Sequence, residues 1–299
     1  MADTLSANVA EITQEIITAT QMQLPQMAPA MNLITKVEIP AGKNSAEIPR
    51  ANSTFSVDTP ADGDEIVNTQ QFDLTSTTIS PTLRSQLVRV SYRARHFSQE
   101  DLLALISQEA ARSQGQDIDT DITAEFANFH TDNDVGTTNT DLVFSVLRTA
   151  RRLLQDVTVA NGGPPPQGSI NTLLAPIAVE NLITNLGAQA PVATGTATGQ
   201  QFVSQGLSEE FIRNYFVPGI NLVGVPVFWD GYITEDGSAD DICAMFASDS
   251  IHLAMSKDWS TEQFNESNWL GTILRWFADY NTALGKYTHW GAQITADGA

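Results

Sequence analysis

Cys243 is the single cysteine of the chain, and a lone thiol is the first group to test for nucleophilic chemistry. It sits in Asp-Ile-Cys-Ala-Met-Phe, which reads as a buried strand, with no histidine or other base near it in sequence. A thiol without a base or a cationic neighbour keeps its proton, so Cys243 reads as a small buried hydrophobe. The histidines His96, His130, His252 and His289 are far apart, and none stands at metal-ligand spacing from a cysteine or glutamate. Asp132 and Asp134 in loop 131–138 suggest a calcium loop, but Gly at the sixth position and Glu at the twelfth are missing, leaving an Asp/Asn turn. The glycines at 195–199 are not followed by the Gly-Lys-Ser/Thr of a phosphate-binding loop. Gly-x-Ser-x-Gly, His-Glu-x-x-His and the dinucleotide-binding glycine pattern are all missing. The expectation is a protein with no catalytic, cofactor-binding or metal-binding residues.

Charge is distributed more tellingly. Asp58, Asp62, Asp64, Glu65 and Asp73 fall in a stretch, 51–81, without a lysine or arginine. Basic residues gather just after it (Arg84, Arg89, Arg93, Arg95) and again at Arg148, Arg151 and Arg152. The spacing suggests an acidic tip that meets one of these basic patches on an adjacent subunit, although exposed pairs are worth only about 0–1 kcal/mol each. Over the whole chain 35 acidic residues face 15 basic ones, a net charge of −20. A protein that grips nucleic acid by its phosphates needs a basic face, so direct recognition of DNA is disfavoured.

The elements that would position these groups follow from periodicity. Residues 6–20 suit a helix with Val9, Ile12, Ile16 and Ile17 near one face, which Pro25 and Pro29 break. Residues 36–50 are β-prone, and 83–92 set Leu83, Leu87, Val88, Val90 and Tyr92 between arginines, as in a half-buried strand. Ser98 and Asp101 form a capping-box-like pair with Phe97 and Leu102 at the staple positions, opening a helix of roughly 45 Å that runs past Gly115 to Phe129. About 60 residues of extended chain ahead of such a helix are unusual in a compact domain and imply a partner surface on another chain.

Residues 141–157 form the clearest amphipathic helix, with Val143, Val146, Leu147, Ala150, Leu153, Leu154 and Val157 on one face. Residues 168–174 read as a strand, followed by a helix opened by Pro176 and stopped at Gly187. Segment 188–205 is low in complexity, and Phe211, Tyr215 and Phe216 make an apolar patch after it. The turn at 235–238 is expected to join strand 225–233 to strand 242–247. Residues 258–269 read as a polar loop, and strands are expected from Leu270 and over 286–294. No run approaches the ~20 apolar residues that span a bilayer, and the start has no apolar leader segment, so neither a membrane role nor export is expected.

The order of extended hairpin and long helix opening Ser-Gln-Glu-Asp-Leu-Leu, with Gly-Val-Pro-Val-Phe at 224–228, Met-Phe-Ala-Ser-Asp-Ser-Ile-His-Leu-Ala at 245–254 and closing strands over 270–299, resembles the major capsid proteins of tailed bacteriophages with the Hong Kong 97-like fold. The resemblance implies an α+β fold: an N-terminal arm (1–31), an extended β-hairpin loop (32–96), a peripheral domain with a long spine helix (97–137), an axial domain (138–255) and return strands of the peripheral domain (256–299). It implies a structural protein that self-assembles through hexamers and pentamers into an icosahedral head, made in the host cytoplasm and present in the virion. Double-stranded DNA would be enclosed, not gripped, and an acidic wall suits that role. A separate scaffolding protein, a portal and cement proteins are the implied partners. Some relatives cross-link a loop lysine to an asparagine. Here Lys43 precedes the tip and no buried acid is nominated beside it or beside Asn265 and Asn268, so the reaction is not expected. The alternatives are an encapsulin-like nanocompartment shell and a soluble α/β enzyme.

Overall fold

The computed structural model describes residues 28–51, 59, 73–91, 93, 102–156, 164–166, 168–188, 220–222, 224–264 and 271–298. Two sheets and a two-stranded ribbon organise them. Strands β1 (Thr35–Glu38), β10 (Ile251–Phe264), β11 (Gly271–Leu284) and β4 (Thr82–Ser91) form a four-stranded sheet in the order β1-β10-β11-β4. Strands β5 (Val135–Gly136), β12 (Gly291–Asp297), β9 (Asp240–Ala247), β6 (Ile170–Leu174), β8 (Val225–Trp229) and β7 (Ile220–Leu222) form a six-stranded sheet in that order. The ribbon pairs β2 (Ala46–Ala51) with β3 (Leu74–Ile79), and Pro49 is accommodated because a two-stranded ribbon leaves one edge of each strand unpaired.

Helix α1 (Leu102–Ala124) is continuous through Gly115 and continues as a 3-10 turn over Glu125–Asn128. The capping residues Phe97, Ser98 and Asp101 lie outside the described residues. Ile118 and Ile122 of α1 and Phe126 of the turn pack on Leu274, Trp276, Ala278 and Tyr280 of β11, whose even-numbered side chains all point to that face. Leu173 and Phe246 of the six-stranded sheet join the same cluster, so this part of the chain is the hub between the sheets. A second core lies under α2 (Phe144–Gln155) and α3 (Pro176–Ala188), where Leu147, Ala150, Leu154, Ala178 and Leu182 meet Val225, Val227, Met245 and Ile294.

Several expectations are corrected. The two ends of the expected excursion are paired into the body, while residues 52–58 and 60–72 between them lie outside the described residues. β1 is built into the body as a parallel neighbour of β10, and β4 as an antiparallel neighbour of β11, because these partners satisfy their backbone groups. Among the described residues of the excursion the ribbon leaves the sheet, and its root is packed by Ile39, Ala46, Ile48 and Ile79 around Ala254. Thr77 Oγ1 and the Tyr287 hydroxyl tie it further to the Gly285 and Ala51 carbonyls.

Residues 258–264 are strand, not loop: β10 runs on to Phe264 beside β11 through two register shifts, and Trp259 is buried. Strands β8 and β9 do not form a hairpin, because β6 inserts between them. The expected turn is real, however, with Asp236 accepting from the Ser238 and Asp240 amides. α3 runs through Gly187, which the last turn of a helix tolerates. β12 crosses to the six-stranded sheet, beside β9, while β10 and β11 stay in the other. Segments 6–20, 189–205 and 211–216 lie outside the described residues, and Ala188 ends α3.

Candidate functional site

The acidic residues Asp58, Asp62, Asp64 and Glu65 lie outside the described residues. The arginines divide into two kinds. Arg84 shares the inward face of β4 with Gln86, Val88 and Val90, as period two requires. Its guanidinium is 2.6 Å from Asp121 Oδ2 and 3.8 Å from Asp117 Oδ1, both on α1, and lies 5.6 Å from the centre of the Tyr280 ring. Tyr280 donates its hydroxyl to Asp117. Burial raises the Asp121 carboxyl above its usual range despite Arg84, and burial together with Asp117 raises the Tyr280 phenol. Arg84 therefore latches α1 onto the sheet of its own chain.

Arg89 and Arg93 are exposed, Arg89 on the opposite face of β4 from Arg84. Arg148 and Arg152 stand on the solvent side of α2. Arg151 lies over the β7–β8 turn, where Gly224 has φ +73° and a Cβ would come 2.7 Å from Nη1. Among the described residues Arg148, Arg151 and Arg152 form no ion pair.

Sequence reasoning missed the apolar surface around β4. Leu83 is 68% exposed and Leu87 50%, both on the face away from α1, and Leu74 on the ribbon is 58% exposed. Across β11 their register partners are Asp279 and Arg275, with Phe277 beside Ser85 between them. Arg275 pairs with Glu262 and lies near the Phe264 and Phe277 rings. The signal was present in the sequence: if Val88 and Val90 face inward, alternation sends Leu83 and Leu87 outward. On the inner side a groove of about 440 Å³ runs between α1 and β4, lined by Gln86, Gln114, Asp117 and Trp259 among others. Gln114 is buried there, with neither amide atom hydrogen-bonded among the described residues.

The candidates for chemistry resolve differently. Cys243 is fully buried, accepts the Ala175 amide at 3.3 Å, and is pushed up to about 12 by burial, so it carries no reactive thiolate. His252 is buried against Gly285, and desolvation lowers its pKa. His96 lies outside the described residues. The reading of the histidines as scattered is corrected: the fold stacks His130 on His289 with ring centres 3.6 Å apart, beside Asp132. Asp119 of α1 is fully buried facing Asp230 at the end of β8, and burial and that second carboxyl push it up to about 9 against the backbone amides of Ala30 and Met31.

An α+β chain with one long helix across a sheet of long strands, a second helix-covered sheet and a projecting ribbon defines a class: the chain has the Hong Kong 97-like fold. No family model matches it and no curated protein is similar to it by sequence. Solved structures are. The capsid of cyanophage P-SCSP1u superposes with a TM-score of 0.61 over 89% of this chain and 87% of its own, at 13% identity. A chain from the structure of Mycobacterium phage Che8 gives 0.57 over 84% of each chain at 14% identity. The holo-SrpI encapsulin of Synechococcus elongatus gives 0.61 over 90% and 86% at 10% identity.

Proposed function

We propose that this chain is a structural shell subunit, the major capsid protein of a tailed bacteriophage, which assembles through hexamers and pentamers into an icosahedral head enclosing double-stranded DNA. The observation that carries the reading is the fold likeness, which extends over nearly the whole of this chain and of the phage capsid chains alike. In this reading the four-stranded sheet with α1 is the peripheral domain, the helix-covered six-stranded sheet is the axial domain, and the ribbon is the extended loop. The exposed Leu74, Leu83 and Leu87 become subunit contacts. The acidic tip, Asp58 to Glu65, meets Arg89, Arg93 or the Arg148, Arg151 and Arg152 patch of a neighbour. Arg84, engaged within its own chain, orients α1 instead. Numerous individually weak contacts let misplaced subunits leave while the closed shell gains stability from the sum. A scaffolding protein, a portal and cement proteins are the expected partners, with assembly in the host cytoplasm and the shell in the virion. The role is non-enzymatic.

An encapsulin-like compartment is the second reading, favoured by the equally high likeness to the Synechococcus encapsulin. Contents separate the two. Particles isolated from the native source are expected to hold nuclease-protected double-stranded DNA. Particles containing a cargo enzyme and no DNA would replace the first reading with the second. Reversing Arg148, Arg151 and Arg152 to glutamate is expected to slow assembly and remove its salt dependence, whereas unchanged assembly would eliminate that patch as the tip's partner.

A further inference from the structure

Three segments of the chain meet around two buried carboxyls. Asp119 of α1 is 0% exposed, and Asp230, which follows β8, is 3% exposed. Beside them the Thr123 hydroxyl of α1 reaches the Tyr232 carbonyl and Thr234 Oγ1, each at 3.3 Å. Segment 230–234 is in turn tied to the six-stranded sheet. The Asp230 amide donates to the Leu174 carbonyl, and the Ile242 amide to the Thr234 carbonyl, both at 3.0 Å. The third segment is the 3-10 turn Ala30–Asn32, and Ala30, Met31, Ile118, Ile122, Phe228 and Ile233 share one apolar cluster.

At this junction acceptor faces acceptor. Asp230 Oδ1 accepts the Tyr232 amide at 3.0 Å. Among the described residues no donor in ordinary hydrogen-bond geometry reaches Asp230 Oδ2 or either Asp119 oxygen. Nor does a cation neutralise the pair. Segment 28–34 carries no ionisable side chain. Arg112 of α1 interacts with Tyr232 and Glu109 at the surface. Asp117 and Asp121, which flank Asp119 in sequence, turn to Arg84 of β4. Two carboxylates in contact in a dry site, without a cation, cannot both stay ionised. One proton between them turns an acceptor into a donor and replaces repulsion by a hydrogen bond. Burial and Asp230 push Asp119 up to about 9, although the Ala30 and Met31 amides favour its ionised form. Burial raises Asp230 as well.

We propose that Asp119 and Asp230 share one proton and so form a proton-locked joint, which ties α1 to segment 230–234 of the axial sheet and to the Ala30–Asn32 turn, and which loosens when that proton is lost. In the closed joint the proton sits on Asp119 and is donated to Asp230 Oδ2. On opening, both carboxyls meet water, return to ordinary carboxylate values and release the proton to solvent. The closed form therefore binds one proton more than the open form from about pH 4 to about pH 9. Closure is favoured in acid, and opening grows about tenfold for each unit of rising pH within that window. This is independent of whether the chain builds a shell.

Native-state hydrogen exchange of the full chain tests the joint, read at the Tyr232 amide and corrected for base catalysis of exchange itself. Asp119→Asn and Asp230→Asn each put a fixed amide N–H where the shared proton lies and keep the charge of the singly protonated pair. Between pH 6 and pH 8, opening in the wild type is expected to grow about 100-fold more than in either variant. An equal pH dependence in wild type and Asp119→Asn would overturn the proposal. So would an Asp230→Asn variant that keeps the wild-type dependence, because Asp119 would then hold its proton by burial alone. If a variant does not fold, infrared spectroscopy of the wild type decides. A carboxylic-acid carbonyl band that persists at pH 8 supports the joint, and its absence overturns it.

Discussion

The six-stranded sheet is finished within its own chain: α2 and α3 cover one face, and Leu147, Leu154, Leu182, Val227 and Ile294 are buried beneath them. The four-stranded sheet is covered by α1 on one face, while its other face presents Leu83 and Leu87 to solvent. The same chain thus closes one core and leaves apolar surface open on the other sheet, at its last strand and near the ribbon. Isolated exposed leucines need no explanation, but two on one face of one strand, with Phe277 across from them, make a surface suited to a second copy. Among the described residues the most exposed large apolar side chains, Leu83, Leu74 and Leu87, lie on β4 and the ribbon, the surface that the shell reading gives to a neighbouring copy.

The contrast can be broken or sharpened by substitution, ranked by effect on the isolated subunit. Leu154→Ala opens a cavity in the closed core and is expected to cost about 2–5 kcal/mol in urea unfolding. A loss under about 1 kcal/mol would show that this core is not closed. Asp119→Asn acts at the joint between the sheets. A carboxyl whose folded value is raised to about 9 binds more protons folded than unfolded, so its contribution is present in acid and lost as pH climbs from about 4 through 9. The variant is expected to be more stable than wild type at pH 8, by roughly 1–3 kcal/mol, and to flatten the fall of Tm with rising pH. An unchanged pH profile would place the proton elsewhere.

Arg84→Gln removes the latch to Asp117 and Asp121. The groups are partly exposed, so a loss of roughly 1 kcal/mol or less is expected by the same unfolding measurement. Leu83→Ser with Leu87→Ser should change subunit stability least, within about 0.5 kcal/mol, because both side chains already meet water. The same pair is expected to suppress assembly in light scattering. Normal assembly would remove this face from the interface.

Legibility followed periodicity. The helix 144–155 was readable because one strong period runs through it, β11 from alternation mixed with apolar bulk, and α1 from helical spacing on either side of Gly115, whose continuity the structure supplies. The extension of β10 was not. Past Trp259 it reads Ser-Thr-Glu-Gln, polar on both faces because both meet solvent, and its strand state is set by pairing with β11. The false hairpin of β8 and β9 arose because β6, far earlier in the chain, occupies the place between them, which no local pattern reports. The inward aim of Arg84 could have been read from its parity with Val88 and Val90. The His130–His289 pair could not, since its two halves meet only through the fold.

Negative-stain electron microscopy of the purified full chain tests the central claim most directly. Closed icosahedral particles in the wild type that are lost in the Leu83→Ser/Leu87→Ser variant are the expected result. A monodisperse monomer of 32.4 kDa at every salt and protein concentration would contradict it.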